Sequence, residues 1–166
     1  MNDHNLLVID DERNIRRSLE MILTGEGFHV TCASSGQEGL DVIAREPVNA
    51  ALLDIVMPGM NGLDVLQQIR ESRPDLAVIM ISGHGTLQDA VRATKLGAYD
   101  FLEKPLSREK VLLSVSHALE TAVLSQENRS LRKEIESRYD MIGKSKAILD
   151  IIDQIERVAP TNGRVL

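Results

Sequence analysis

Leu6-Leu7-Val8-Ile9-Asp10-Asp11 is an unbroken apolar run that stops at two carboxylates. The same event recurs along the chain. Ala50-Ala51-Leu52-Leu53 runs into Asp54, and Tyr99-Asp100-Phe101-Leu102-Glu103 closes on Lys104 and Pro105. Short continuous runs bounded by polar residues mark strands buried on both faces of a parallel sheet. In an open parallel α/β sheet the carboxyl ends of the strands line the ligand crevice. Asp10, Asp11, Asp54 and Lys104 all stand at such ends, so folding gathers three acids and one ammonium into one pocket. Close carboxylates repel unless a cation joins them, and a hard divalent ion with oxygen ligands, Mg2+, meets that need. Asp54 is then a candidate nucleophile or phosphoryl acceptor, with Lys104 as the partner of the anion.

The 166 residues suffice for one ordinary domain and an appendage. Hydrophobic residues make up 43% and charged residues 27%, a globular balance, while 2% aromatics leave the core to aliphatic side chains. A formal net charge of −6 argues against gripping nucleic acid by bulk electrostatics. Cys32 is the single cysteine, so no internal disulfide is available and a reducing, cytoplasmic setting is expected. The first apolar run is too short for a signal peptide, and no stretch reaches transmembrane length, so no membrane association is expected. His4, His29, His84 and His117 are scattered without metal-ligand spacing.

Five apolar runs (Leu6–Ile9, Phe28–Ala33, Ala50–Leu53, Ala77–Ile81 and Tyr99–Leu102) alternate with amphipathic segments. Ile15, Leu19, Ile22 and Leu23 share one helical face, as do Leu63, Leu66 and Ile69 before the stop at Pro74. Ser35 with Glu38 and Thr86 with Asp89 have capping-box spacing, and Ser107 can cap a fifth helix with Leu106 and Val111 as a staple. Gly27, Gly39 and Gly97 are expected at turns or helix ends, Gly97 as the residue that closes a helix. Five βα units make a doubly wound α/β layer structure. The fifth helix has no stop before about Ser137, and Leu124, Asn128, Leu131 and Ile135 recur as a coiled-coil seam. Ile148, Ile151, Ile152, Ile155 and Val158 form an apolar face with no partner, ended by Pro160. The expected organisation is an α/β domain over 1–122, a helical linker over 123–138, and the opening of a second domain over 139–166.

Several candidates have a plainer reading beside the functional one. Asp10 and Asp11 can serve as caps for a helix beginning near Glu12, although capping needs only one of them. Ser82 ends the fourth run and either starts a turn or donates to a phosphoryl oxygen. Phe101 is by default a core residue. Met57-Pro58-Gly59-Met60-Asn61-Gly62 is ordinary turn chemistry, or a loop that presents the backbone carbonyl of Val56 to a metal. Gly83-His84-Gly85 lacks the rest of a dinucleotide fingerprint, and no P-loop is present.

Val8-Ile9-Asp10-Asp11-Glu12, Leu53-Asp54-Ile55-Val56-Met57-Pro58, Ser82-Gly83 and Lys104-Pro105 together resemble a bacterial response-regulator receiver domain over about residues 4–122. Ile81-Ser82-Gly83-His84-Gly85 and Gly97-Ala98-Tyr99-Asp100-Phe101 resemble the NtrC-type regulators, in particular the NtrX-like subgroup. Ile142-Gly143-Lys144-Ser145 and Val158-Ala159-Pro160-Thr161 look like the start of the AAA+ domain of sigma-54-dependent activators, cut short at Leu166. The resemblance implies a flavodoxin-like five-stranded parallel sheet of order 2-1-3-4-5 with an extended fifth helix. It implies that Asp54 takes a phosphoryl group from a sensor histidine kinase. Mg2+ would be held by Asp11, Asp54 and the Val56 carbonyl, with Asp10 acting through water. Lys104 and Ser82 would hold the phosphoryl group, Phe101 would switch with Ser82, and Lys104-Pro105 would be cis. Homodimers through the helix 4–strand 5–helix 5 face or the helix over 107–137 are implied too. ATP, DNA and sigma-54 RNA polymerase would be engaged only by domains beyond Leu166, so these residues are expected to form no enzyme beyond self-dephosphorylation. Two other classes compete: a stand-alone interaction module, and a haloacid-dehalogenase-type phosphatase. The latter family has a second aspartate as general acid where Val56 stands.

Overall fold

The computed structural model describes residues 4–83 and 87–122. The strands are β1 (Asn5–Ile9), β2 (His29–Ala33), β3 (Ala50–Asp54), β4 (Ala77–Ser82) and β5 (Asp100–Glu103). They form one sheet of order β2-β1-β3-β4-β5, with all four strand pairings parallel. Between them run α1 (Arg13–Thr24), α2 (Gly36–Arg45), α3 (Gly62–Ser72) and α4 (Leu87–Lys95). A fifth helix, α5, occupies 108–122. The flavodoxin-like order expected from the motifs is the order observed. The expected coiled-coil seam, the linker over 123–138 and the second domain over 139–166 lie outside the described residues, as do His84, Gly85 and Thr86 of the fourth loop.

Strand side chains alternate between faces, and here both faces are covered. Leu7, Ile9, Ala51, Leu53, Val78 and Met80 pack with Leu63, Leu66 and Ile69 of α3. Leu6, Val8, Ala50, Leu52, Ile79 and Ile81 pack with Leu19 and Leu23 of α1 and Val111 and Val115 of α5. Two aliphatic layers explain why β1, β3 and β4 read as continuous apolar runs. The edge strands are different: β2 and β5 are partly exposed, and polar Thr31 and Asp100 sit within them. No helix among the described residues is long and apolar enough to cross a membrane.

Helix ends follow their local chemistry. Ser35 Oγ accepts from Glu38 N at 3.3 Å, as a capping box requires. The return bond is shifted by one residue, because the Glu38 carboxylate accepts from Ser34 N at 2.6 Å. Lys110 N donates to Ser107 Oγ at 3.3 Å, the cap expected for α5. After α4, Ala98 N donates to Ala93 O and Gly97 N to Thr94 O, with Gly97 at φ +90°, a Schellman closure. Gly39 departs from expectation. It lies inside α2 and is buried, and a Cβ there would meet Ile9 Cδ1 at 2.4 Å. Its role is close approach of α2 to β1, which sequence periodicity does not reveal.

Candidate functional site

Register brings the site together. Ile9 pairs with Leu53, so Asp10 and Asp54 leave the sheet side by side. Asp54 pairs with Ile81, and Ser82 pairs with Glu103, which places Ser82 and Lys104 along the same carboxyl edge. Lys104 N donates to Ser82 O at 2.7 Å, and the Lys104-Pro105 bond is cis. The loop after β3 folds back tightly. Gly62 N donates to Ile55 O at 2.8 Å, and a Cβ at Gly62 would stand 2.0 Å from Asp54 O. Asn61 caps α3 by accepting from Leu63 N at 2.8 Å.

Asp10 and Asp54 are buried, at 0% and 3% exposure, while Asp11 is exposed. One oxygen from each of Asp10, Asp11 and Asp54 lies within 4.8 Å of the other two. Lys104 Nζ sits 3.0 Å from Asp10 Oδ2, 3.0 Å from Asp54 Oδ1 and 3.0 Å from Glu12 Oε1. Asp54 Oδ2 accepts from Val56 N at 3.1 Å, and Asp10 Oδ1 accepts from Glu12 N at 2.8 Å. Burial pushes the Asp54 carboxyl up; Lys104 pulls it down and the charges of Asp10 and Asp11 add to the rise. For Lys104, burial favours the neutral amine, but Asp10, Asp54 and Glu12 outweigh it and drive its pKa up. Lys104 is therefore a permanent cation facing a set of acids that it does not neutralise.

The donor set suits a hard divalent cation. All three side chains offer oxygen, and among the described residues no histidine or cysteine joins the cluster. The telling atom is Asp10 Oδ2. It is buried and receives no hydrogen bond, although the Lys104 charge is 3.0 Å away. Buried carboxylates that share a single ammonium keep uncompensated negative charge, which is costly unless a second cation completes the set. The capping alternative for the pair fares poorly, because α1 has Glu12 at its N-cap position and no side chain capping it.

The remaining candidates fall as follows. Ser82 is buried at the end of β4. Phe101 is partly buried on β5, against the cluster that includes Met80. The Val56 side chain is 67% exposed, and its amide is committed to Asp54. Two residues escaped sequence reasoning. Glu12 reaches Lys104, and Arg16 Nη1 donates to Asp10 O at 2.7 Å and Asp11 O at 2.9 Å. Spacing carries no signal for either, since both contacts depend on where a long side chain ends.

An open, doubly wound parallel sheet with acids and a lysine at its carboxyl edge defines a class of ligand-accepting α/β domain. Residues 6–116 match the response regulator receiver domain family, and the chain belongs to that family. It is 38% identical over 165 residues to the nitrogen assimilation regulatory protein NtrX of Azorhizobium caulinodans, covering 98% of this chain and 36% of that protein. The crystal structure of NtrX from Brucella abortus in complex with ADP superposes with a TM-score of 0.75 at 38% identity, covering 98% of this chain and 35% of that one. The solution structure of the beryllofluoride-activated NtrC4 receiver domain dimer gives a TM-score of 0.69 at 42% identity, covering 71% and 98%. The chain thus spans about a third of the length of the curated relatives it matches. The NtrX-like resemblance read from the motifs agrees with these relatives.

Proposed function

We propose that Asp54 is the phosphoacceptor of a two-component response regulator and takes its phosphoryl group from the phosphohistidine of a sensor histidine kinase. The observation that carries this reading is the convergence of Asp10, Asp11 and Asp54 with Lys104 at one strand edge. A Mg2+ ion held by Asp11, Asp54 and the Val56 carbonyl, with Asp10 acting through water, would neutralise charge on the transferring oxygens. An Asp54 carboxylate oxygen attacks phosphorus; the P–N bond to the imidazole breaks, and its electron pair leaves with the histidine. The Val56 amide holds the other Asp54 oxygen in place. Lys104 pairs with a phosphoryl oxygen, and the Ser82 hydroxyl donates to another. Phe101 turns into space that Ser82 gives up, and the α4–β5–α5 face repacks. Water attacking phosphorus then breaks the P–O bond to Asp54, releasing inorganic phosphate and restoring the carboxylate, so the domain acts as a switch that limits its own phosphorylated lifetime.

In this reading the domain is cytoplasmic and occupies 1–122. Residues 123–138 form a pairing linker, and 139–166 begin an AAA+ domain that engages sigma-54 RNA polymerase. DNA binding belongs to a further domain. Homodimers form through the α4–β5–α5 face or the helix over 107–137. The similarity to NtrX proteins along nearly the whole chain supports this assignment. Exposed aliphatic Val56 offers no proton donor where a phosphatase of the haloacid-dehalogenase type has its acid, which disfavours that alternative. Acetyl phosphate with Mg2+ is expected to add one phosphoryl group to the wild type and none to Asp54→Asn, read by intact mass. Undiminished labelling of Asp54→Asn in chelator would overturn the assignment.

A further inference from the structure

Glu12 stands at the N-cap position of α1, yet its side chain makes no cap bond there. Glutamate is not among the residues that cap helices well. Its carboxylate instead crosses to the loop after β5 and accepts a hydrogen bond from Lys104 Nζ at 3.0 Å, between residues 92 positions apart. Asp10 Oδ2, at the same 3.0 Å from Nζ, receives no such bond. The ammonium, which has three N–H donors, thus stands at one distance from Glu12, Asp10 and Asp54, and Glu12 is the exposed acid of the three. Glu12 is also held from behind. Asp10 Oδ1 accepts from its amide, and its own carbonyl accepts from Ile15 N and Arg16 N, both at 3.1 Å. Arg16 meanwhile clamps the carbonyls of Asp10 and Asp11. The side chain is 59% exposed, at the rim of a pocket whose other acids are the metal-cluster carboxylates.

We propose that Glu12 is a positioning residue that holds Lys104 at the pocket mouth in the unphosphorylated protein and must release it before Lys104 pairs with a phosphoryl group. The inference rests on the reading of Asp54 as the phosphoacceptor. Glu12 competes twice with the incoming group: it occupies an N–H of the ammonium, and it puts a negative charge in the path of a phosphate donor. Its contact therefore sets how readily the resting site is phosphorylated, without touching the reacting atoms.

The test uses the whole chain and two variants. Glu12→Gln removes the charge, and Glu12→Asp keeps it but withdraws the carboxylate by about one C–C bond, ~1.5 Å. In metal-free protein the Lys104 ammonium 15N resonance is expected to shift in both variants. At saturating Mg2+, labelling by acetyl phosphate is expected to quicken in both, by roughly two- to fivefold for a half-exposed ion pair. Wild-type rates and an unshifted resonance in both variants would overturn the inference. So would acceleration in Glu12→Gln alone, because a field effect without contact would then suffice. Labelling of wild type but not of Asp54→Asn separates these failures from failure of the phosphoacceptor reading itself.

Discussion

Burial disfavours the charged form of Asp54, Lys104 offsets part of that penalty, and Asp10 and Asp11 add to it. The net rise has a sign that can be followed into stability. An acid whose folded pKa lies above its unfolded value binds more protons when folded, so the native state loses stability as pH rises from the ordinary carboxylate value of 3.8 through the raised one. Asn at that position has no charge to desolvate. In chelator at neutral pH, Asp54→Asn is expected to melt a few degrees above the wild type, with the gap narrowing as pH falls toward the carboxylate range. A gap that widens toward acid would contradict the burial argument. The identity of these acids was legible from the chain because a strand end is a local event, written in an apolar run and the charge that stops it. Glu12 and Arg16 were not legible, since their partners are chosen by the reach of flexible side chains across loops.

At α3, intrinsic preference and tertiary packing disagree. Alanine is the better helix former than glycine by about 1 kcal/mol, so Gly62→Ala would stabilise an isolated helix. Here the added Cβ would sit 2.0 Å from Asp54 O and 2.8 Å from Ile55 Cα, both backbone atoms that cannot rotate away. Gly62→Ala is expected to destabilise the protein by about 1–3 kcal/mol, an overpacking cost, in denaturant titration. A more stable variant would show that the loop after β3 is free to move. The same kind of close approach explains Gly39, whose neighbour is the Ile9 side chain. Arg70 supplies another link invisible in spacing: its Nε donates to Gly97 O and its Nη1 to Leu76 O at 2.7 Å, tying the end of α3 to the turn after α4. Helix identities and caps were readable because they are local. Glycines that serve packing look in sequence like glycines that serve turns.

Across the domain, the five-stranded order follows from runs that alternate with amphipathic helices, and both aliphatic layers were implied by the continuity of β1, β3 and β4. The partly exposed edges β2 and β5 were less legible, because their place in the sheet, not their composition, sets their burial. The layered fold leaves one edge where acids from β1 and β3 meet a cation from β5, and the proposed chemistry depends on that meeting. Borohydride reduction of the acetyl phosphate-treated protein, followed by peptide sequencing, reads the acceptor directly, because an aspartyl phosphate is converted to homoserine. The account predicts homoserine at position 54 alone, formed with Mg2+ and absent in chelator. Conversion at a different aspartate, or at position 54 to the same extent without a divalent cation, would contradict it.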